Sequence, residues 1–156
     1  MEQDLLELLL ALDGVRQDPR YHPERDALHH SLQTFDRARS ESDDAALWAA
    51  ALFHDVGKAL GSAGHAESGA DLLEGLLSPR VVFLVRHHLD LLEAPGATRR
   101  KLRGSPELAD LGRLRRWDVA GRSPRASVMS PEAALAMILD RDPRRVLDAD
   151  AHAEDA

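Results

Sequence analysis

Eight histidines occur in 156 residues, and six of them fall in three places: His29-His30, His54 with His65 close behind, and His87-His88. Cysteine is absent, which excludes disulfide frameworks, Cys-ligated zinc and thiol catalysis and leaves imidazole and carboxylate as the groups able to bind a metal. His54 and Asp55 directly follow the apolar run Ala45–Phe53. Neighbouring side chains on a helix point about 100° apart, close enough for both to reach one ion in a cleft. A buried Asp is unfavourable unless it is paired or bound to metal. The ordinary reading of this segment is a helix C-terminus, where His54 and Lys58 favour the negative end of the dipole. A second acid also aims inward: Leu111, Leu114 and Asp118 fall on one helical stripe. His87 and His88 follow the apolar Val81, Val82, Leu84 and Val85, so one of the pair should face the core. Periodicity does not choose between His29 and His30, and His65, just after Gly64, has a cap or surface role as its plain alternative.

The elements that must position these residues are helices. Leu5 to Leu12 form a broad apolar face that stops at Gly14. After a loop at 15–23, a second helix is expected from Glu24 to Ser40, with Leu28, Leu32 and Phe35 on one face. Ser42 caps a third, from Asp43 to Leu60, which is apolar on all sides and should be central. A fourth covers His65 to Leu77. Ser78-Pro79, Ser105-Pro106 and Ser130-Pro131 each pair an N-cap with proline at the first helical position. They predict helices to Glu93, Ala120 and Asp140, with Val81–Val85 as an alternative strand and Pro95-Gly96 ending the fifth helix. The expectation is an all-α, single-domain bundle of six or seven helices over residues 1–141, followed by an acidic tail at 142–156.

Net charge is −7, the wrong sign for coating nucleic acid with the whole surface. The charge is uneven, however: residues 86–125 carry ten Arg or Lys against five acids, enough to attract phosphate locally, although such runs are usually solvated surface. No apolar run approaches the ~20 residues of a membrane span. The acidic Met1-Glu2-Gln3-Asp4 start is unlike a secretory leader, so a cytoplasmic chain is expected.

The order His30-Ser31-Leu32, Phe53-His54-Asp55-Val56-Gly57-Lys58, Gly64-His65-Ala66-Glu67, Arg86-His87-His88 and Asp118 resembles the HD-domain superfamily of metal-dependent phosphohydrolases over residues 19–121. The stretch Asp18–Asp26 before the His-Ser-Leu triplet is similar to the HD domain attached to bacterial tRNA nucleotidyltransferases. The resemblance implies an HD-domain-like bundle with His30, His54, Asp55 and Asp118 ligating a first divalent metal. It prefers His30 to His29 because the family's histidine directly precedes a Ser/Thr-Leu pair. His65 and His88 match the positions that hold a second metal in binuclear relatives, with Asp55 bridging and His87 as the competing choice.

Imidazole and carboxylate without thiolate favour one or two octahedral ions of Mn, Fe, Co, Ni or Mg. Such an ion acidifies a bound water for attack on phosphorus. Glu67 and Asp118 are available as general base or acid, beside Asp55. Lys58, Arg86, Arg100 and Arg103 are candidates for neutralising phosphate oxygens, and His22 for touching substrate. The expected activity is hydrolysis of a small phosphorylated substrate: a nucleoside monophosphate, a 2′,3′-cyclic phosphate or a dinucleoside polyphosphate. The alternatives are a slow or non-catalytic metal- and nucleotide-binding regulatory module, and an RNA-processing accessory with Arg99–Arg103 on the backbone. No membrane partner is expected.

Overall fold

Ser78-Pro79, Ser105-Pro106 and Ser130-Pro131 each start a helix in the computed structural model, which describes residues 1–22 and 26–150. Ser78 Oγ accepts from the Val81 amide, Ser105 Oγ from Leu108 and Ser130 Oγ from Ala133, each satisfying a donor that the first helical turn leaves free. In chain order the elements are α1 (Glu2–Leu10), α2 (Ala27–Glu41), α3 (Ala45–Phe53), a 3₁₀ helix (Val56–Leu60), α4 (His65–Leu73), α5 (Pro79–His87), α6 (Asp90–Glu93), α7 (Pro95–Lys101), α8 (Pro106–Ala120), α9 (Pro131–Arg141) and α10 (Pro143–Val146). No β-strand forms among the described residues, only two isolated bridges. The architecture is the all-α bundle that the sequence predicts. No helix among the described residues is long and apolar enough to cross a membrane.

All nine residues of α3 are buried. Its alanines let α2, α5, α8 and α9 approach closely from different sides, and the core forms around it. Capping by Asp44, whose carboxylate accepts from the Ala46 amide at 3.0 Å, sets where α3 begins. Its far end is where expectation and structure part. The apolar run does not continue as one helix to Leu60. It breaks at His54-Asp55 and resumes as the 3₁₀ helix, because the His54 ring takes up the Ala51 carbonyl and Asp55 leaves helical geometry at φ −106°, ψ 10°.

The fifth helix likewise ends at His87 instead of Glu93, with His88 as its C-cap. Val81–Val85 lie within α5, so the strand alternative is not taken up: the Ser78-Pro79 cap sets helical geometry and the valines bury as a helix face. Pro95-Gly96 does not end the fifth helix: Pro95 follows the short α6 and opens α7 in what reads as loop, because proline is well tolerated at the first helical position. The tail expected from 142 begins with α10. Its Val146 is buried, and the Val146 carbonyl accepts from the Ser78 amide at 2.8 Å. The expected start of the second helix at Glu24, and residues 151–156 of the tail, lie outside the described residues.

Candidate metal centre

Four helix ends and one helix interior deliver the side chains. His54 and Asp55 stand at the break after α3, His65 opens α4, His88 caps α5, His30 lies on α2 and Asp118 on the last turn of α8. His30, His54, Asp55, His88 and Asp118 are buried, and His65 is half-buried.

Every imidazole is oriented in the same way. Nδ1 lies at hydrogen-bond distance from a backbone carbonyl: Gly121 O for His30 (2.7 Å), Ala51 O for His54 (2.7 Å), Ser62 O for His65 (2.9 Å) and Val85 O for His88 (2.6 Å). Only an N–H can satisfy a carbonyl, so the proton belongs on Nδ1 and the Nε2 lone pair is left to point into the cluster. There His54 Nε2 lies 3.1 Å from Asp55 Oδ2, His65 Nε2 3.2 Å from Asp55 Oδ1 and His88 Nε2 3.5 Å from the same oxygen. His30 Nε2 is 2.8 Å from Asp118 Oδ1 and 3.6 Å from Asp55 Oδ2. The Nε2 atoms of His54, His65 and His88 are buried without a hydrogen-bond partner.

Ring nitrogens and carboxylate oxygens therefore converge, with the Lys58 ammonium beside Asp55 and a proton shared through His54 as the positive charge among them. Burial disfavours charge on His54, but the close carboxylates of Asp55 and Asp118, 3.1 and 3.5 Å from Nε2, outweigh it and push the imidazole up to about 10. Burial likewise works against ionised Asp55 and Asp118. His54, His65 and His88 around Asp55, and His30 and His54 beside Asp118, hold both carboxyls well below the usual range. The donor set fits a divalent cation: two groups of ligand atoms, His30/His54/Asp55 and Asp55/His65/His88, each lie within 4.8 Å of one another and share Asp55. A backbone partner on the second nitrogen is the usual support of a metal-bound imidazole.

Two glycines make the convergence possible. A Cβ on Gly57 would stand 2.0 Å from the His65 carbonyl oxygen and 2.6 Å from the Gly69 amide, so only glycine lets α4 lie against the 3₁₀ helix and bring His65 to Asp55. A Cβ on Gly121 would stand 2.9 Å from the Thr34 amide nitrogen; without it, α8 closes on α2 and the Gly121 carbonyl meets His30. Gln33 fixes the next turn of chain, accepting from the Ser123 amide (2.9 Å) and donating to the Ser123 carbonyl (2.7 Å).

The unresolved pairs of histidines separate cleanly. His29 turns to the Ala126 carbonyl at 2.8 Å and anchors the loop after α8, while His87 packs on Phe83 at 4.4 Å between ring centroids and meets Asp90 at 2.8 Å. His30 and His88 are the two that join the cluster. Lys58 does too: its ammonium sits 3.2 Å from Asp55 Oδ2 and donates to Gln17 Oε1. His22, in the loop before α2, stands 5.0 Å from His30 between ring centroids.

Other expected residues are placed elsewhere. Glu67 does not reach the cluster. Its largely exposed carboxylate holds Arg86 at 2.6 Å, and Arg86 also binds Asp71 and Glu74, because these three acids form one stripe along α4 opposite α5. Arg86 is thereby occupied, and neither it nor Arg100 nor Arg103 lines the cleft over the cluster.

That cleft, of about 480 Å³, has Asp55, His65, His88 and Asp118 in its floor and Lys58, Arg115 and Arg122 as its cations. Arg115 and Arg122 lie 3.8 and 3.7 Å from Asp118 oxygens. Sequence reasoning left them undistinguished within the basic stretch, yet Arg115 lies one turn before Asp118 on the same face of α8, while Arg122 follows the helix end just past Gly121. Gln17, Leu89 and Leu92 also line the cleft, and nothing in their local sequence marks them.

The family profile of the HD domain matches residues 27–143. The chain belongs to this family. Membership places the HD domain described here in a superfamily of metal-dependent phosphohydrolases. Relatives include the multifunctional CCA protein of Halorhodospira halophila, 42% identical over 97 residues that cover 51% of this chain and 23% of that protein. The multifunctional CCA protein of Thioalkalivibrio sulfidiphilus is 40% identical over 72 residues, covering 42% and 18% respectively. The stretch shared with this HD domain is thus less than a quarter of either relative.

Proposed function

We propose that this chain is a metal-dependent phosphohydrolase that cleaves a phosphate ester or anhydride of a small nucleotide, such as a nucleoside monophosphate, a 2′,3′-cyclic phosphate or a dinucleoside polyphosphate. The observation that carries the reading is the pair of ligand groups sharing Asp55, with three buried and unpartnered Nε2 atoms, at the floor of a cleft whose rim is cationic. His30, His54, Asp55 and Asp118 would hold one ion, and Asp55, His65 and His88 a second.

A bound divalent ion of the Mn, Fe, Co, Ni or Mg type supplies a water acidified toward neutrality and polarises the phosphoryl oxygen. The chain's own residues do the rest. Asp55 and Asp118 stay ionised at neutral pH, so they hold cations without competing for protons. The four carbonyl-bound imidazoles keep Nε2 aimed inward and need no reorganisation during reaction, His54 giving up its proton where an ion is held. Lys58 is positioned by Gln17 and Asp55 to neutralise charge on the phosphoryl group. Asp118 faces the cleft, where its carboxylate could orient the attacking water by accepting a hydrogen bond from it.

The direct test is metal analysis of the purified chain, followed by phosphate release from a nucleotide panel with Mn, Co, Ni or Mg added. One or two bound ions with turnover are expected. A chain that neither retains metal nor releases phosphate would overturn the reading. A second reading, an RNA-directed HD domain, draws on the names of the relatives and on Arg99, Arg100, Lys101 and Arg103, which have no acid partner among the described residues. RNA binding should fall steeply as salt is raised, whereas turnover of a small nucleotide should respond little.

A further inference from the structure

Resting on the hydrolase reading, we infer that Arg122 and Gln17, flanking Lys58 and Arg115, form a preformed subsite for the non-bridging oxygens of the substrate's phosphoryl group. Arg122 Nε and Gln17 Nε2 are buried donors without a hydrogen-bond partner, and both residues line the same cleft. A buried donor left unsatisfied is unfavourable, and two of them beside one cavity mark a place where an acceptor belongs. Lys58, Arg115 and Arg122 share the same walls and favour an anionic acceptor where Asp55 and Asp118 in the floor hold cations. The acid of the rim, Asp18, is already engaged by Arg20 at 2.8 Å.

Both donors are fixed in place. The residue before Arg122 is held by His30, through the Gly121 carbonyl at 2.7 Å, and the residue after it is clamped at both backbone groups by Gln33. The guanidinium gives one nitrogen to the Tyr21 carbonyl at 3.2 Å and lies 3.7 Å from Asp118 with another, which leaves Nε for a ligand. On Gln17 the Lys58 ammonium requires an acceptor, so it fixes Oε1 toward Lys58 and Nε2 away from it. Guanidinium and amide donors at set positions suit a tetrahedral oxyanion, and their attachment to the ligand-bearing segments holds that anion in register with the cluster.

The experiment titrates inorganic phosphate into the Mn-loaded full chain by calorimetry, with metal content, melting temperature and the kcat and KM of hydrolysis followed alongside. Arg122→Lys keeps the charge and removes Nε, Gln17→Glu keeps the acceptor for Lys58 and removes the donor, and Arg125→Met removes a nearby charge that does not line the cleft. Arg122→Lys and Gln17→Glu should each weaken phosphate binding at least about tenfold and raise KM more than they lower kcat, with metal content unchanged. Arg125→Met should change affinity less than about twofold. Wild-type affinity in Arg122→Lys and Gln17→Glu, with metal and turnover intact, would overturn the subsite and leave the hydrolase reading standing. An equal loss in Arg125→Met would overturn it as well, by showing that only overall charge matters. Failure of the unmodified chain to bind both Mn and phosphate would instead remove the hydrolase reading and the subsite with it.

Discussion

Helix α8 carries two buried carboxylates two turns apart, and they have opposite surroundings. Asp110 is met by Arg80, with Nε at 3.1 Å and a terminal nitrogen at 3.0 Å, and Arg80 also reaches Asp44 at 2.8 Å. Asp118 faces His30 and His54, with Arg115 and Arg122 no closer than 3.7 Å. The first acid is complete within the protein; the second is surrounded by groups that are themselves short of a cation. Burial of an acid is therefore a poor marker of function by itself. What separates the structural site from the chemical one is whether the neighbours already satisfy it.

The sharpest way to break this comparison is to neutralise each acid in turn. Asp118→Asn, like Asp55→Ala, should lower hydrolysis and metal affinity by more than about 100-fold, since loss of even a supporting partner costs 10–100-fold. The helical circular dichroism should be retained. Asp110→Asn should do the reverse, keeping metal stoichiometry while lowering stability by about 1 kcal/mol, because the partly exposed Arg80 loses one of its two carboxylates and keeps Asp44. Loss of metal in Asp110→Asn would erase the distinction.

Next in size are the close approaches. Gly57→Ala should push α4 away from Asp55 and cost about 1–3 kcal/mol together with any ion that the proposed Asp55/His65/His88 group would hold, read by metal content against melting temperature. The comparison also sharpens with pH. His54 is raised to about 10, so in the metal-free chain its charge contributes stability that is full below the unfolded value of 6.5 and disappears as pH rises through 10. Asp55 and Asp118, held low, contribute stability above the ordinary carboxyl value of 3.8 that is lost on further acidification. The melting temperature of the metal-free protein should therefore fall between pH 6.5 and 10, and that of the metal-loaded protein should not. The smallest expected effect is at Arg100 and Arg103: changing both to Ala should leave KM for a nucleotide within about twofold, since neither lines the cleft.

Much of this was readable in the sequence. The Ser-Pro starts, the apolar α3 and the inward Asp118 follow from local spacing, and each is set by contacts within a few turns. What was not readable depends on geometry between distant segments. Breaking α3 at His54 and α5 at His87 requires rings that compete for helix-end carbonyls, which periodicity does not register. Periodicity left His29 and His30 open and only the resemblance favoured His30, whose inward turn depends on the Gly121 carbonyl ninety-one residues away. Glu67 shared the motif but fell to Arg86 on the next helix, and Gln17 belongs to the site only because its loop folds over Lys58.

The carbonyl contacts of the imidazoles divide the centre into parts with separate points of failure. His54, His65 and His88 each bind a carbonyl three residues back in their own segment, so their aim travels with a four-residue stretch of chain. His30 alone is aimed from elsewhere, by the end of the helix that also carries Asp118. Fraying of that helix end disorients His30 and displaces Asp118 in one event, while Asp55, His65 and His88 keep their mutual geometry. Heat, denaturant or a lesion near Gly121 should thus empty the His30 half first, passing through a chain that still carries a single ion.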